Sequence, residues 1–219
     1  KNIITPFNLN IIIEKGTKLK IDNDISVLIR GGLKVKGTKD EQIQYSAERM
    51  EKTIKLAVEK SNWSKVTEGT YQGFSAYYSH NTHVAEVADV EMVEGVLVVK
   101  KVTVAVDCGI VVNPLGAKNQ IEGGVIDGIG HAMYGDFSFK SGAPKAINFD
   151  NYRLIRMQET PEVSTHFVES DLSPTGLGEP GLPPAGGAVA NAIHAAKGER
   201  LLKQPFINQL EMSKSEILG

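Results

Sequence analysis

The stretch from Val96 to Val106 is the feature that most constrains the fold. It reads Val-Leu-Val-Val-Lys-Lys-Val-Thr-Val-Ala-Val, an almost unbroken run of β-branched and apolar residues. Such a run is typical of a strand that is covered on both faces. A second strand-like segment, Val84 to Met92, precedes it across the short Glu94-Gly95 turn. Together the two segments predict a β-hairpin buried within a sheet.

The remaining elements follow from hydrophobic periodicity. Helices are predicted at residues 40–61, 117–134 and 184–197, the last of them ended by Gly198. Further strands are predicted at residues 70–78, 135–139, 146–149 and 163–168. Because strands and helices alternate unevenly, the sequence predicts an α+β fold, a mixed β-sheet with packed helices.

The chain divides near residue 40. Residues 1–40 contain three short strand-like runs, at 11–13, 19–21 and 25–29, and carry no motif. We expect this N-terminal segment, whose affiliation the sequence leaves open, to be distinct from a domain at residues 41–219.

Composition excludes several classes of protein. The 219 residues carry 24 Lys and Arg against 26 Asp and Glu, a net charge of −2, which argues against nucleic-acid binding. No apolar run reaches the roughly 20 residues needed to cross a bilayer. A single cysteine, Cys108, excludes an intrachain disulfide and an iron–sulfur cluster within the chain, and we expect it to be a buried apolar residue. The compartment, cytoplasmic or periplasmic, stays open.

The predicted helix at 117–134 is unusually rich in glycine. Gly123, Gly124, Gly128 and Gly130 each cost about 1 kcal/mol relative to alanine. This cost indicates that something approaches the helix backbone, and the sequence leaves open whether it is another element of the chain or a ligand. Gln120, near the start of the helix, offers a donor and an acceptor to a polar ligand.

A second glycine-rich segment, residues 173–187, contains one carboxylate. Glu179 is held between glycines and prolines, which fix the backbone and let a ligand approach. The helix that follows should present free N–H groups to an anion. Glu179 is therefore a candidate general base, and the alternative is a turn glutamate exposed to water.

The same segment matches the dinucleotide-binding fingerprint at Gly176, Gly178 and Gly181. In that fingerprint the glycines follow a strand directly, whereas here a polar spacer separates them from Val168. We therefore consider a nicotinamide- or flavin-dependent enzyme the weakest of the alternatives.

Two histidines with metal-ligand spacing, His80 and His83, lie in the segment Ser-His-Asn-Thr-His. Without a third ligand they favour exposed loop histidines over a metal site. His131, His166 and His194 occur singly and are interpreted as structural.

Several motifs in order resemble a known family. They are Val-Asp-Cys-Gly-x-Val-Val-Asn-Pro at 106–114, Gln-x-Glu-Gly-Gly at 120–124, Gly-x-Gly-Glu-Pro-Gly-x-Pro-Pro at 176–184 and Ala-x-Ala-Asn-Ala-Ile at 188–193. Val-Ala-Glu-Val-Ala at 84–88 and Asn-Phe-Asp-Asn-Tyr at 148–152 extend the match to about residues 46–206. The pattern resembles the C-terminal portion of the molybdenum-cofactor-binding subunit of the xanthine dehydrogenase and aldehyde oxidase family, particularly isoquinoline 1-oxidoreductase β subunits.

The resemblance implies roles for four residues. Glu179 matches the family's catalytic glutamate, which acts as a general base in the hydroxylation of aldehydes or N-heteroaromatics with oxygen from water. Gln120 matches the glutamine that hydrogen-bonds the molybdenum–pterin cofactor, which in this branch is expected to carry cytosine. Leu177 and Gly178, beside the base, are expected to border the metal, for which the chain supplies no ligand.

The resemblance also implies partners. The family's subunit is several hundred residues longer, and its other pterin-binding loops are not recognisable here. We therefore expect the rest of that subunit and a small iron–sulfur subunit as partners, and no cofactor or activity in this chain alone. The segment at residues 79–83 departs from the family, which has a Gly/Ser-rich stretch there. A non-catalytic assembly or binding module derived from the family is the main alternative.

Overall fold

The computed structural model describes residues 29–30, 39–93 and 96–215. Its elements are β1 (Ile29–Arg30), α1 (Lys39–Lys60), β2 (Thr70–Ser79), β3 (Thr82–Val93), β4 (Val96–Asp107), α2 (Pro114–Tyr134), β5 (Phe139–Lys140), β6 (Ala143–Pro144), β7 (Glu162–Phe167), α3 (Pro183–Lys197) and α4 (Phe206–Ser215). A single 3₁₀ turn, Met157–Glu159, precedes β7. The predicted α+β fold with a mixed sheet and packed helices is confirmed.

Five strands form the main sheet in the order β1-β2-β3-β4-β7. The central three are antiparallel, with Phe74 opposite Val87 and Val87 opposite Thr103, whereas β1 and β7 pair in parallel with their neighbours. The predicted β3–β4 hairpin is confirmed, although its Glu94-Gly95 turn lies outside the described residues. The predicted strands at 11–13 and 19–21 also lie outside them, and of the strand at 25–29 only Ile29 is described.

The side chains of the central strands alternate between two cores, as the period of a strand requires. Val84, Val104 and their neighbours join α2, α3 and α4 in one core. Ala85, Val87 and Ala105 join α1 and Phe74 in the other. The second half of β4, from Val102 to Asp107, is buried on both faces, as its apolar run predicts.

A glycine in β2 sets the distance between the sheet and α3. A Cβ atom added to Gly73 would lie 2.0 Å from the backbone nitrogen of Ala192 and 2.2 Å from the carbonyl oxygen of Ala188. Only glycine lets the helix backbone rest on the strand at this point. Asn191 strengthens the contact, because its side-chain amide donates to the carbonyl of Phe74 at 2.8 Å.

The segment between α2 and β7 contradicts the prediction. No strand covers 146–149, and at 135–139 only Phe139 enters one, as half of the two-residue β5. The side chains of Phe139, Ile147 and Phe149 are 61%, 78% and 78% exposed, so their apolar character does not reflect burial in this chain's sheet. Helix α4 was not predicted; its Phe206 and Leu210 complete the α2–α3 core.

Candidate functional site

The 173–182 loop connects β7 to α3 and is fixed at its start to the sheet. The N–H of Thr175 donates to the carbonyl of Cys108, just after β4, at 2.9 Å. The N–H of Gly176 donates to the carbonyl of His80, in the β2–β3 turn, at 3.2 Å. The loop therefore lies at the end of the central strands, where the β2–β3 turn is next to the last residues of β4.

Two of the predicted cofactor-binding residues contact each other. The side-chain amide of Gln120, in the second turn of α2, donates to the carbonyl of Gly178 at 2.8 Å. Leu177, the third, is partly buried and packs against the α2–α3 core. The structure therefore brings Gln120, Leu177 and Gly178 together at one place on the surface.

Glu179 lies at the tip of this loop with an exposed side chain. Its carbonyl accepts from the N–H of Leu182 at 2.8 Å, which closes a turn, and the next two residues, Pro180 and Gly181, are buried. The backbone of Glu179 is thus tightly held while its carboxylate faces outward. This geometry accommodates both interpretations of Glu179, as a base or as an exposed turn residue.

The glycines of α2 divide into two groups. Gly128 lies against the 173–182 loop, since an added Cβ would be 2.4 Å from the carbonyl oxygen of Leu182, and Gly124 makes ordinary contact with the same residue. Gly130 faces Ile155. Packing against other parts of the chain therefore explains these three. Gly123 is different, because a Cβ there would meet nothing within 4 Å.

The anion-binding helix end predicted after Glu179 is weaker than expected. Helix α3 begins with Pro183 and Pro184, which have no N–H group, and Leu182 makes no side-chain cap. The first two helical positions therefore offer nothing to an anion, although proline geometry suits the start of the helix.

A buried ion pair behind the loop was missed by sequence reasoning. The guanidinium of Arg49 in α1 donates to both carboxylate oxygens of Asp107, at 2.9 and 2.7 Å, and a third bond reaches the carbonyl of Asn81 at 3.3 Å. Burial raises the pKa of Asp107, but hydrogen bonds from Arg49 and from the N–H of Gly109, together with the charge of Arg49, hold that pKa below its ordinary value. The pair joins α1 to the β2–β3 turn and to the end of β4.

The two loop histidines differ, and the prediction that both are exposed is wrong for His83. His80 is exposed, whereas His83 is 1% exposed and its Nε2 lies 2.9 Å from the hydroxyl of Ser46. Burial, followed by the charge of Arg49, lowers the pKa of His83 to about 4. Across the described residues, no group of three or more potential ligands is arranged to hold a metal ion.

Two further expectations are met. Cys108 is buried, and its burial, with a smaller contribution from the charge of Asp107, raises the pKa of its thiol.

Strand β7 ends at Phe167, nine residues before Gly176, so the glycines of the dinucleotide fingerprint do not follow a strand directly. The dinucleotide fingerprint therefore lacks its structural context.

Comparisons with known proteins agree with this fold. The family described as molybdopterin cofactor-binding domain matches residues 10–161. A membrane-bound aldehyde dehydrogenase (pyrroloquinoline-quinone) of Gluconacetobacter polyoxogenes is 34% identical over 169 residues, which cover 72% of this chain and 21% of the relative. Isoquinoline 1-oxidoreductase subunit beta of Brevundimonas diminuta is 32% identical over 167 residues, 74% of this chain and 21% of the relative.

A solved structure shares the fold. Quinoline 2-oxidoreductase from Pseudomonas putida 86 superposes with a TM-score of 0.55 at 20% identity, covering 60% of this chain and 18% of that one. The chain belongs to the molybdopterin cofactor-binding domain family, as a partial molybdopterin-binding subunit of the xanthine dehydrogenase and aldehyde oxidase type.

The extent of these matches matters for the site. The chain spans about one fifth of the length of the two curated relatives. The family match includes Gln120 and ends before Leu177, Gly178 and Glu179.

Within the described part of the chain, no helix has both the length and the apolar character to cross a membrane.

Proposed function

We propose that this chain carries one wall of the active site of a molybdenum hydroxylase that oxidises aldehydes or N-heteroaromatics with oxygen from water. Glu179 is the general base, and Gln120, Leu177 and Gly178 contact the cofactor. The observation that carries the proposal is the hydrogen bond from Gln120 to Gly178, which joins α2 to the loop that holds Glu179.

The residues at this place fit a large, flat, polar cofactor. A Cβ added to Gly178 or Gly123 would meet nothing within 4 Å, so both glycines leave room for a group lying against the backbone. Gln120 uses its amide N–H₂ on the loop and keeps its side-chain oxygen as an acceptor. Gly123 lies one helical turn from Gln120 and therefore shares its face.

Each side chain then has a separate task. Gln120 binds and orients the pterin through its amide oxygen while it holds the loop in place. Leu177 limits the access of water from the side of the core. Glu179 accepts the proton of the hydroxyl that attacks the substrate carbon, and its held backbone limits the region that the carboxylate can reach. The molybdenum–pterin group, when bound, supplies the two-electron oxidation.

The complete enzyme requires partners. Because the chain spans 21% of each of the two relatives, we expect the rest of a molybdopterin-binding subunit to complete the pocket, and a small iron–sulfur subunit to accept the electrons. The expected cofactor form is molybdopterin cytosine dinucleotide. We expect the chain alone to bind no molybdenum, and a stoichiometric amount of the metal in the purified chain would contradict this.

The base is tested by Glu179→Gln in the assembled enzyme. Loss of the proton acceptor should lower kcat by roughly 10²- to 10⁴-fold with molybdenum content unchanged. Glu199→Gln is the matched control, because Glu199 is equally exposed but follows the other end of α3. Wild-type turnover in the Glu179 variant would remove the base assignment.

One observation favours the alternative, a non-catalytic assembly or binding module. Gln120, Gly178 and Glu179 are all exposed. The chain therefore encloses none of them by itself. If the alternative holds, Glu179→Gln and Glu199→Gln will leave the activity of the partner enzyme unchanged while the chain still assembles with it.

A further inference from the structure

Thr82, the first residue of β3, is buried beneath the 173–182 loop. It follows a tight turn in which His80 and Asn81 have positive φ angles of 52° and 60°. Its side chain is 0% exposed, and its hydroxyl donates to the carbonyl of Gly176 at 2.7 Å. This bond connects the start of a central strand to the loop of Glu179.

The hydroxyl of Thr175 completes the arrangement. It lies 2.6 Å from the hydroxyl of Thr82. Because a carbonyl only accepts, the single hydroxyl proton of Thr82 is directed at Gly176, and Thr175 must be the donor to Thr82. The three groups therefore form a directed chain of hydrogen bonds, and each bond strengthens the next.

Backbone contacts secure the same two residues. The N–H groups of Thr175 and Gly176 donate to Cys108 and His80, as described above. Gly176 also sits so close to the turn that an added Cβ would lie 2.8 Å from the Cβ of His80. Residues 175 and 176 are thus held by four hydrogen bonds, whereas the side chain of Glu179, further along the loop, is exposed.

We propose that Thr82 is a positioning residue of the candidate site and restrains, through Gly176, the loop backbone from which the Glu179 carboxylate extends. This inference rests on the proposed function for its consequence in catalysis. Two residues separate Gly176 from Glu179, so their Cα atoms lie about 10 Å apart at most, and a shift of Gly176 is transmitted to Glu179.

The first test measures amide hydrogen exchange in the 219-residue chain. Thr82→Val removes the hydroxyl with little change of volume. The carbonyl of Gly176 and the hydroxyl of Thr175 then lose their bonds to residue 82, so the loop opens more often. Exchange of the Thr175 and Gly176 amides should become roughly 10-fold faster. Thr82→Ser should restore slow exchange. Thr53→Val is the matched control, since Thr53 is also 0% exposed but bonds to Arg49 within α1.

Thr175→Val supplies a second criterion, which does not require Thr82→Val to fold. It removes the bond to Thr82 but leaves the bond from Thr82 to Gly176 intact, so it should speed exchange of the Gly176 amide more than Thr53→Val does. Where Thr82→Val folds, its effect should be the larger of the two. If Thr175→Val has no more effect than the control, the restraint of the loop by Thr82 is refuted.

The second test uses the assembled enzyme. Misplacing the base by about 1 Å should lower kcat roughly 10²-fold with KM unchanged, and Thr82→Ser should restore it. If Glu179→Gln abolishes turnover but Thr82→Val changes neither exchange nor kcat, the positioning role is wrong and the base stands. If Thr82→Val loosens the loop while Glu179→Gln keeps full activity, the restraint of the loop by Thr82 stands and the base assignment fails.

Discussion

Two groups of polar residues, one on the α1 face of the sheet and one around the 173–182 loop, differ in how they are held. On the α1 face, Arg49, Asp107 and His83 are buried, and Arg49 and Asp107 bond each other in a bidentate pair. Around the 173–182 loop, Gln120 and Glu179 are exposed. The buried groups on the α1 face are bonded within the chain, whereas Gln120 and Glu179 are accessible, as the proposed function requires.

The largest expected effect tests whether the buried pair is structural. Arg49→Met leaves the Asp107 carboxylate buried and unpaired, so the free energy of unfolding should fall by about 3–5 kcal/mol. Lys55→Met is the control, because its ion pair with Glu51 is exposed and should contribute no more than about 0.5 kcal/mol. Urea denaturation of both variants measures the difference. Equal effects would show that burial does not distinguish the pairs.

Lowering the pH should destabilise the fold through His83, which lies on the same α1 face. Its pKa is lowered to about 4 in the folded chain, so between its ordinary 6.5 and about 4 the unfolded chain binds a proton that the folded chain does not. Stability is therefore lost as the pH falls through this window, by about 3 kcal/mol. The charges beside His83 are Arg49 and Asp107, and Asp107 titrates below the window.

His83→Gln removes this titration and should flatten the stability profile between pH 6.5 and 4.5. Denaturation curves at half-unit steps of pH provide the measurement. A variant that keeps the full acid-dependent loss would assign it to another group.

The local parts of the fold could be predicted from the sequence, and the contacts between distant segments could not. The β3–β4 hairpin and the glycine-rich α2 follow from patterns within about 20 residues. Arg49 and Asp107 are 58 residues apart and Thr82 and Gly176 are 94 apart, so their pairing depends on strand register and on how α1 crosses the sheet. The roles of Gln120 and Glu179 are predicted from ordered motifs, which indicate chemistry but not geometry.

The segment 135–160 shows why hydrophobicity misled the prediction there. Its apolar residues predict strands only if they are buried, and most are exposed in this chain. Hydrophobicity alone does not show that a residue is buried, since apolar side chains are also common on protein surfaces.

Glu86, a buried carboxylic acid in β3, contrasts with the paired Asp107 and provides the third test. Among the described residues, neither carboxylate oxygen has a hydrogen-bond partner, and burial raises its pKa well above the ordinary value. Its contribution to stability is therefore lost as the pH rises above about 4.5, opposite in sign to His83. Glu86→Met should raise the free energy of unfolding at neutral pH by about 1–3 kcal/mol.

The control for this variant is Glu91→Met, at a partly exposed position of the same strand, where the carboxylate accepts from Thr70. Thermal unfolding at pH 5 and pH 8 separates the two residues. If Glu86→Met lowers the unfolding temperature at both pH 5 and pH 8, the Glu86 carboxyl makes a stabilising contact in solution, and this prediction is wrong.

The smallest expected effect sharpens the distinction between glycines that serve packing and those that leave room for a ligand. Gly123→Ala adds a methyl group in open space within α2, so the isolated chain should gain about 0.5–1 kcal/mol from helix propensity. Gly128→Ala should instead lose about 1–3 kcal/mol, because the carbonyl of Leu182 would lie 2.4 Å from the new carbon and belongs to a backbone that cannot yield cheaply. Urea denaturation of the two single variants shows whether each substitution raises or lowers the free energy of unfolding. If Gly123 lies against the cofactor, the variant that stabilises the chain should also lower the molybdenum content of the assembled enzyme, and full loading would place the cofactor elsewhere.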